Sequence, residues 1–217
     1  MKNIINNKTR KTGIVFMLFI LLLTGLATSC KKTTCNYAPC TVRDSINIST
    51  GRDTIGAVDG NWIVTSSPYP PGRQAIIMPA WAPGMPGGYE PTPITNTNAG
   101  WINCTGAACC GSLLGKYTYE TTFTITPNTL SFSCDFNTAY DDALVSPIEL
   151  IGPGSTPTII LLPDPTHPGS VASLNINIGT VVTNPAVGTW KIRATISTAD
   201  HGTGLLVSGF IKTLKPC

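Results

Sequence analysis

The sequence predicts an all-β protein that folds as a single antiparallel β-sandwich. Apolar and polar residues alternate over segments of strand length, most clearly at 117–125 and 130–137. Threonine and aromatic residues dominate these segments, which is typical of strands with one face in a core and one face in water. The 217 residues include 21 glycines and 18 prolines, which suits the many turns that a sandwich requires.

Residues 1–29 are predicted to be the signal peptide of a bacterial lipoprotein and to contain a signal helix. Basic residues precede a short apolar run at 14–23, which is too short for a comfortable transmembrane helix. The sequence Ala27-Thr28-Ser29 then leads into Cys30 and resembles a lipobox. The resemblance implies that Cys30 begins the mature protein, carries acyl chains and anchors the protein in the outer membrane. Ordinary cleavage near Ser29, followed by release, is the alternative.

The charged residues of the chain indicate on which side of the outer membrane the protein lies and which partners are excluded. Lys31 and Lys32 follow Cys30 where an acidic run would favour export to the cell exterior, so the periplasmic face is favoured over the cell surface. The net charge is only +3, and part of it lies in the leader. Because no basic stripe remains on the domain, we expect no nucleic-acid partner.

Residues 30–43 are predicted to form a tether, and residues 44–217 the sandwich domain. Within the tether, Cys35 and Cys40 are expected to close a small disulfide loop, as their spacing in an exported protein suggests. Of the eight cysteines, seven remain once Cys30 is lipidated, so one thiol should stay unpaired in a monomer.

The other cysteines are expected to pair in or near the core. Cys134 falls on the inward phase of its strand and is predicted to pair with Cys109 or Cys110. The remaining one of those two is then left for Cys104 or Cys217. A zinc site at the 104–110 cluster is the alternative, but the two histidines lie in unrelated loops and the usual paired-ligand spacing is absent.

The elements follow one another as short strands separated by turns. A short strand with Trp62 on its inward face is expected at 60–65. The long proline-rich loop at 66–97 leaves room for only a brief strand at 74–78, since proline has no N–H to donate to a neighbouring strand. Further strands are expected at 148–151, 157–162, 171–178, 190–197 and 205–214. The rings predicted to lie inward are Trp62, Phe123, Phe132 and Trp190.

Several short motifs occur in a suggestive order along the chain. They are Asp59-Gly60-Asn61-Trp62, the Tyr117–Phe123 strand, Ala139-Tyr140-Asp141-Asp142, and the segment 202–207. Together they resemble a secreted bacterial sandwich of the galactose-binding-domain-like group, which is similar to carbohydrate-binding modules. The resemblance covers residues 59–211 and implies a jelly roll that binds a glycan or a protein partner.

Trp81, Tyr89 and Trp101 are the candidate ligand-binding residues. They lie in predicted loops, where flat aromatic faces can stack on sugar rings. Ordinary packing of these rings against the sandwich is the alternative.

Asp135, Asp141 and Asp142 form a candidate metal site. Carboxylate oxygens at this density bind calcium, and the resemblance implies a structural calcium ion in many such domains. The alternative is a solvated turn in which Asp and Asn bond to the local backbone. No other cofactor is expected.

The sequence contains no pattern that predicts catalysis. A G-x-S-x-G motif and a phosphate-binding loop are absent, and Glu120 is predicted to lie on a solvent face, unlike a buried glycosidase acid. We therefore expect a lipid-anchored, non-catalytic cell-envelope protein that binds a glycan or a protein partner through loop aromatics. A structural or assembly subunit, joined through edge strands or a cysteine, is the alternative.

Overall fold

The computed structural model describes residues 40–70, 74–78, 99–105, 113–141, 143–163, 176–198 and 204–217. Within these residues the regular structure is entirely β-strand, and twelve strands form two antiparallel sheets. The all-β antiparallel sandwich predicted from the sequence is therefore confirmed. The predicted signal peptide, Cys30 and Cys35 lie outside the described residues.

Sheet A contains six strands and includes both ends of the described chain. Its strands are β1 (Thr41–Asn47), β3 (Ile76–Ile77), β4 (Ile102–Asn103), β6 (Ser131–Asp141), β10 (Ile176–Thr183) and β12 (Gly204–Pro216). β12 lies in the middle: it pairs with β6 along one side, and with β1 and β4 along the other. β10 pairs with the far side of β6 and forms one edge of the sheet.

Sheet B faces sheet A and contains the other six strands. Its strands are β2 (Trp62–Ser66), β5 (Gly115–Ile125), β7 (Ala143–Leu144), β8 (Ile148–Ile151), β9 (Ile159–Leu162) and β11 (Gly188–Thr198). β5 and β11 pair over their whole length, from Gly188 opposite Ile125 to Thr198 opposite Gly115.

The core lies between the sheets and is organised by aromatic contacts. Phe132 of sheet A meets two rings of sheet B edge to face, Phe123 at 5.4 Å and Trp190 at 5.0 Å between centroids. Each of the three residues is at most 4% exposed. The predicted inward phases of β5, β6 and β11 are therefore confirmed, and Trp62 is buried as expected.

The connection between β5 and β6 crosses from one sheet to the other. Asn128 in this turn has a left-handed backbone with φ of 68°, a conformation that asparagine adopts more readily than most residues. The Thr129 hydroxyl donates to the Thr126 carbonyl at 2.8 Å and helps to close the turn. The two most regular strands thus belong to opposite layers and place their aromatic faces against each other.

Asp59 explains why the segment Asp59-Gly60-Asn61-Trp62 forms a fixed corner. Its buried carboxylate accepts hydrogen bonds from the backbone N–H groups of Gly51 (2.6 Å), Asn61 (2.9 Å) and Trp62 (2.8 Å). The Trp62 indole N–H in turn donates to the Ile48 carbonyl at 2.7 Å. Together these bonds satisfy buried polar groups and hold the entry to β2 against the segment that follows β1.

The expected Cys35–Cys40 loop is wrong, because Cys40 forms a disulfide with Cys217. β1 and β12 pair from Asn47 opposite Phe210 to Thr41 opposite Pro216, which brings the two cysteines together. The backbone N–H of Cys217 also donates to the Cys40 carbonyl at 3.0 Å. Pairing of strands far apart in sequence, and not spacing along the tether, selects the partner.

The expected disulfide of Cys134 with Cys109 or Cys110 is also wrong. Cys134 is a buried free thiol on the inward side of β6, where it lies opposite Thr180 and Ile211 of the flanking strands. Burial raises the pKa of this thiol to about 12, so it stays protonated and behaves as a small apolar side chain. Cys104 is buried as well, while Cys109 and Cys110 lie outside the described residues.

Candidate functional site

The outward side of sheet A carries an exposed aromatic ring among polar side chains. Along β12, Val207 and Ile211 point into the core, and Phe210 alternates with them and is 39% exposed. We call this surface the Phe210 face. Its other main side chains are Asp135, Asn137, Asn177, Ser208 and Lys212.

Strand pairing fixes what surrounds the Phe210 ring. Asn47 of β1 lies opposite Phe210 on one side, and Asp135 of β6 on the other. Gly179 of β10 lies next to Asp135 and adds no side chain. Since Ser208 and Lys212 share its face along β12, the ring has polar neighbours and no bulky apolar side chain among these cross-strand and same-strand positions.

A row of hydrogen-bonding groups runs across the sheet beside the ring. Ser208, Asn137 and Asn177 lie opposite one another on three adjacent strands. The Asn177 side-chain N–H donates to the Asn137 side-chain oxygen at 3.1 Å. The remaining amide hydrogens, the Asn177 oxygen and the Ser208 hydroxyl can bond to a ligand that carries hydroxyl groups.

Lys212 and Asp135 form an ion pair on the other side of the ring. Their side chains are 51% and 46% exposed, so water screens the pair and it contributes little to stability. Lys212 and Asp135 can therefore turn towards a ligand with little loss of stability. Phe210 is therefore bordered by the neutral hydrogen-bonding groups of Ser208, Asn137 and Asn177, by the positive charge of Lys212 and by the negative charge of Asp135.

Trp101 lies at the far end of the same side of sheet A. It packs against Ala139 and Leu206, and the position of a side chain on Gly204 would fall 3.1 Å from its ring. Leu206 and Phe210 are four residues apart along β12, roughly 13 Å on an extended strand. Trp101 is half-buried, so part of its ring is engaged in packing.

Gly209 of β12 pairs with Phe136 of β6 next to the Phe210 face and has no room for a side chain. Its φ is +156°, and a Cβ at this position would lie 2.3 Å from the Asp135 carbonyl and 2.4 Å from the Phe136 Cα. Only glycine fits against the backbone at this distance. The pairing register of β12 with β6 places Phe210 opposite Asp135 and Ser208 opposite Asn137.

The outward side of sheet B has a different character, and here one expectation is wrong. Glu120 was expected to face solvent, but it is only 5% exposed because Lys191 and Arg193 cover it, at 2.8 Å and 2.7 Å. Burial alone would raise the pKa of Glu120. The hydrogen bonds and charges of Lys191 and Arg193 outweigh burial and hold this pKa below its ordinary value. Arg193 also approaches Glu149 at 3.7 Å.

The structure does not bring together Asp135 and Asp141, two of the three residues of the predicted calcium site. Both residues belong to β6, where six residues of extended strand separate them by roughly 20 Å. Asp135 is instead paired with Lys212. Among the described residues no group of three or more His, Cys, Asp or Glu side chains could hold a metal ion. Asp142 lies outside those residues.

Trp81 and Tyr89 also lie outside the described residues, so of the three predicted ligand-binding aromatics the structure places only Trp101. Phe210 was missed because apolar residues adjoin one another in β12, at 205–207 and at 210–211, so its alternation is hard to see. The signal was nevertheless present: Ser208 and Lys212 flank Phe210 at a spacing of two, which puts all three on one face.

Comparison with known proteins gives no match, either to a family model, to a curated protein or to a solved structure. Within the described part of the chain, no helix has the length and apolar character needed to span a membrane.

Proposed function

We propose that this chain is a lipid-anchored, non-catalytic protein of the cell envelope that binds a glycan on the Phe210 face. The observation that carries the proposal is the exposed Phe210 ring, which stands among Asp135, Asn137, Ser208 and Lys212. Sugars offer apolar C–H faces surrounded by hydroxyl groups. An aromatic ring bordered by donors and acceptors matches that chemistry.

The geometry of sheet A supports an elongated ligand over a compact one. Phe210 and the part of Trp101 that is exposed lie on the same side of the sheet, with the Ser208–Asn137–Asn177 row between them. A chain of sugar units laid along β12 would contact both rings and the Ser208–Asn137–Asn177 row. The predicted lipobox at Cys30 would hold this surface at the membrane by its tether.

The carboxylates favour binding over catalysis. Two acids are buried among the described residues, and Asp59 is occupied by the backbone N–H groups of Gly51, Asn61 and Trp62. Glu120 is held ionised by Lys191 and Arg193 and so is a poor proton donor near neutral pH. Asp135 is half-exposed and paired with Lys212. A glycosidase requires a pair of carboxyl groups, one of them with a raised pKa.

Truncation of Phe210 tests the proposal. We expect the full chain, purified in detergent, to bind at least one member of a panel of neutral and acidic glycans by calorimetry. Phe210→Ala should weaken that binding about tenfold, since an aromatic contact contributes roughly 0.5–1.5 kcal/mol beyond the area that it buries. Ile63→Ala is the matched control, because Ile63 is 54% exposed on sheet B.

Two outcomes would contradict the proposal. One is the absence of binding across the panel. The other is equal affinity of Phe210→Ala and the unaltered protein for a glycan that does bind.

A further inference from the structure

Most edges of the two sheets carry features that prevent pairing with another strand. Exposed edges present unpaired N–H and C=O groups, and natural proteins protect them with charges, bulges or short strands. Among the described strands, β3 has two residues, β9 has four, and β2 is bulged between Val64 and Ser66. β1 carries Arg43 and Asp44 and is fastened at one end by the disulfide of Cys40.

The edge of β10 lacks all of these features. The strand has eight residues, INIGTVVT, with no proline and no charged side chain. It pairs with β6 without a register shift, from Ile176 opposite Thr138 to Thr183 opposite Ser131. Val181 is 65% exposed, more than any other large hydrophobic side chain among the described residues. Within those residues no strand pairs with its other edge.

We propose that the β10 edge pairs with β10 of a second copy of this chain, antiparallel and related by a two-fold axis at Thr180. In this register Gly179 of each copy lies opposite Val181 of the other, and Ile178 lies opposite Val182. Residues directly opposite in an antiparallel pair point to the same side of the sheet. The two copies of sheet A therefore join into one sheet with both Phe210 faces on the same side.

The strand's own sequence makes this pairing self-complementary. Gly179 has open space above it, with only the Asn177 side-chain oxygen within 4 Å of where a Cβ would lie. Val181 of the partner copy fills that space, and its exposed methyl groups leave water. The interface is isologous: each copy supplies the same residue and the same vacant position.

The absence of charge favours a second copy over an unrelated partner. Two identical strands would place like charges together if β10 carried any, and this cost is absent. An unrelated extended peptide would find no charge on this edge to select or orient it. The match between Val181 and Gly179 also arises only when β10 meets its own sequence.

The oligomeric state of the full chain in detergent tests the proposal, and it does not depend on glycan binding. Light scattering with correction for bound detergent should give a protein mass twice that of one chain. Val181→Lys should weaken self-association by roughly tenfold or more, because lysine on an edge strand opposes pairing and two copies bring like charges together. Val187→Lys is the matched control, since Val187 is 57% exposed in the turn after β10.

The leader is intact in all three proteins, so any association through it is common to them. Dimers of the unaltered protein and of Val187→Lys, with monomers of Val181→Lys, support the β10 pair. A monomeric unaltered protein overturns it. The same mass for all three proteins, or monomers for both variants, also overturns it, because association would then not depend on β10.

Discussion

Gly209 is the position in β12 at which a side chain would collide with the backbone of β6. Gly209→Ala should destabilise the protein by about 2–4 kcal/mol, because the new Cβ meets the Asp135 carbonyl at 2.3 Å and the φ of +156° is strained for alanine. Urea denaturation monitored by tryptophan fluorescence measures the loss. Gly154→Ala is the control: its φ is +61°, but no atom lies within 4 Å of the added carbon. Equal losses in the two variants would show that the contact with β6 is unimportant.

Glu120 makes the stability of the protein depend on pH in a defined direction. Its folded-state pKa lies below its ordinary value, because Lys191 and Arg193 stabilise the ionised carboxylate more than burial destabilises it. The stabilisation is therefore fully present above the unfolded-state pKa, about 4.3 for glutamate, and is lost as the pH falls through the folded-state value.

Glu120→Gln should accordingly cost roughly 1–3 kcal/mol at pH 7, the range for hydrogen bonds to charged groups. The difference from the unaltered protein should shrink towards pH 3, which denaturant titrations at the two pH values measure. Glu149→Gln serves as the control, because the Glu149 side chain is 27% exposed and lies 3.7 Å from Arg193. A difference for Glu120→Gln that does not change with pH would contradict the electrostatic account.

Phe210 and Glu120 illustrate why single residues were harder to predict than strands. Alternation correctly put Glu120 on the outward side of β5, but its burial depends on Lys191 and Arg193 of the neighbouring strand. Which strand lies beside β5 is not written in the local sequence. Phe210 could have been assigned from Ser208 and Lys212, yet its polar surroundings come from β1, β6 and β10.

Strands with strong alternation were predicted well at the scale of elements. β5, β6, β8 and β11 fall where the sequence analysis expected them, because one face of each is buried and the period of two is explicit. β10 was expected to end near Ile178 but continues to Thr183, where the valines and threonines do not alternate clearly. The assignment of β5 and β6 to different sheets was not predictable, since a short turn is also compatible with a hairpin.

The disulfide between Cys40 and Cys217 fastens the first strand of the domain to the last. In the chain-entropy account, closing a loop over a sequence separation of 177 stabilises the fold by about 5 kcal/mol. The variant carrying both Cys40→Ser and Cys217→Ser should lose a stability of this order in urea denaturation. A loss below about 1 kcal/mol would contradict the chain-entropy account for this disulfide.

At the scale of the whole sandwich, the outer faces of sheets A and B, as far as the structure describes them, differ in how their charges are arranged. On sheet B, Glu120 is neutralised within the protein by Lys191 and Arg193 and is withdrawn from water. On sheet A, Lys212 and Asp135 remain about half exposed around Phe210. Composition and charge predicted a weakly charged sandwich, but the arrangement of those charges required the strand order.

The disulfide between Cys40 and Cys217 also determines how a mechanical pull on Cys40 would act on the domain. A tether that leaves the fold at Cys40 pulls on β1 from the end where Thr41 faces Pro216, a geometry in which the hydrogen bonds of an edge strand would break one after another. Because Cys40 is covalently bonded to Cys217, the same pull is shared with β12, which is bonded to β6 along its length. A pull applied at Cys40 would thus be distributed over β1, β12 and β6 at once, and β1 could not be peeled away from a free end.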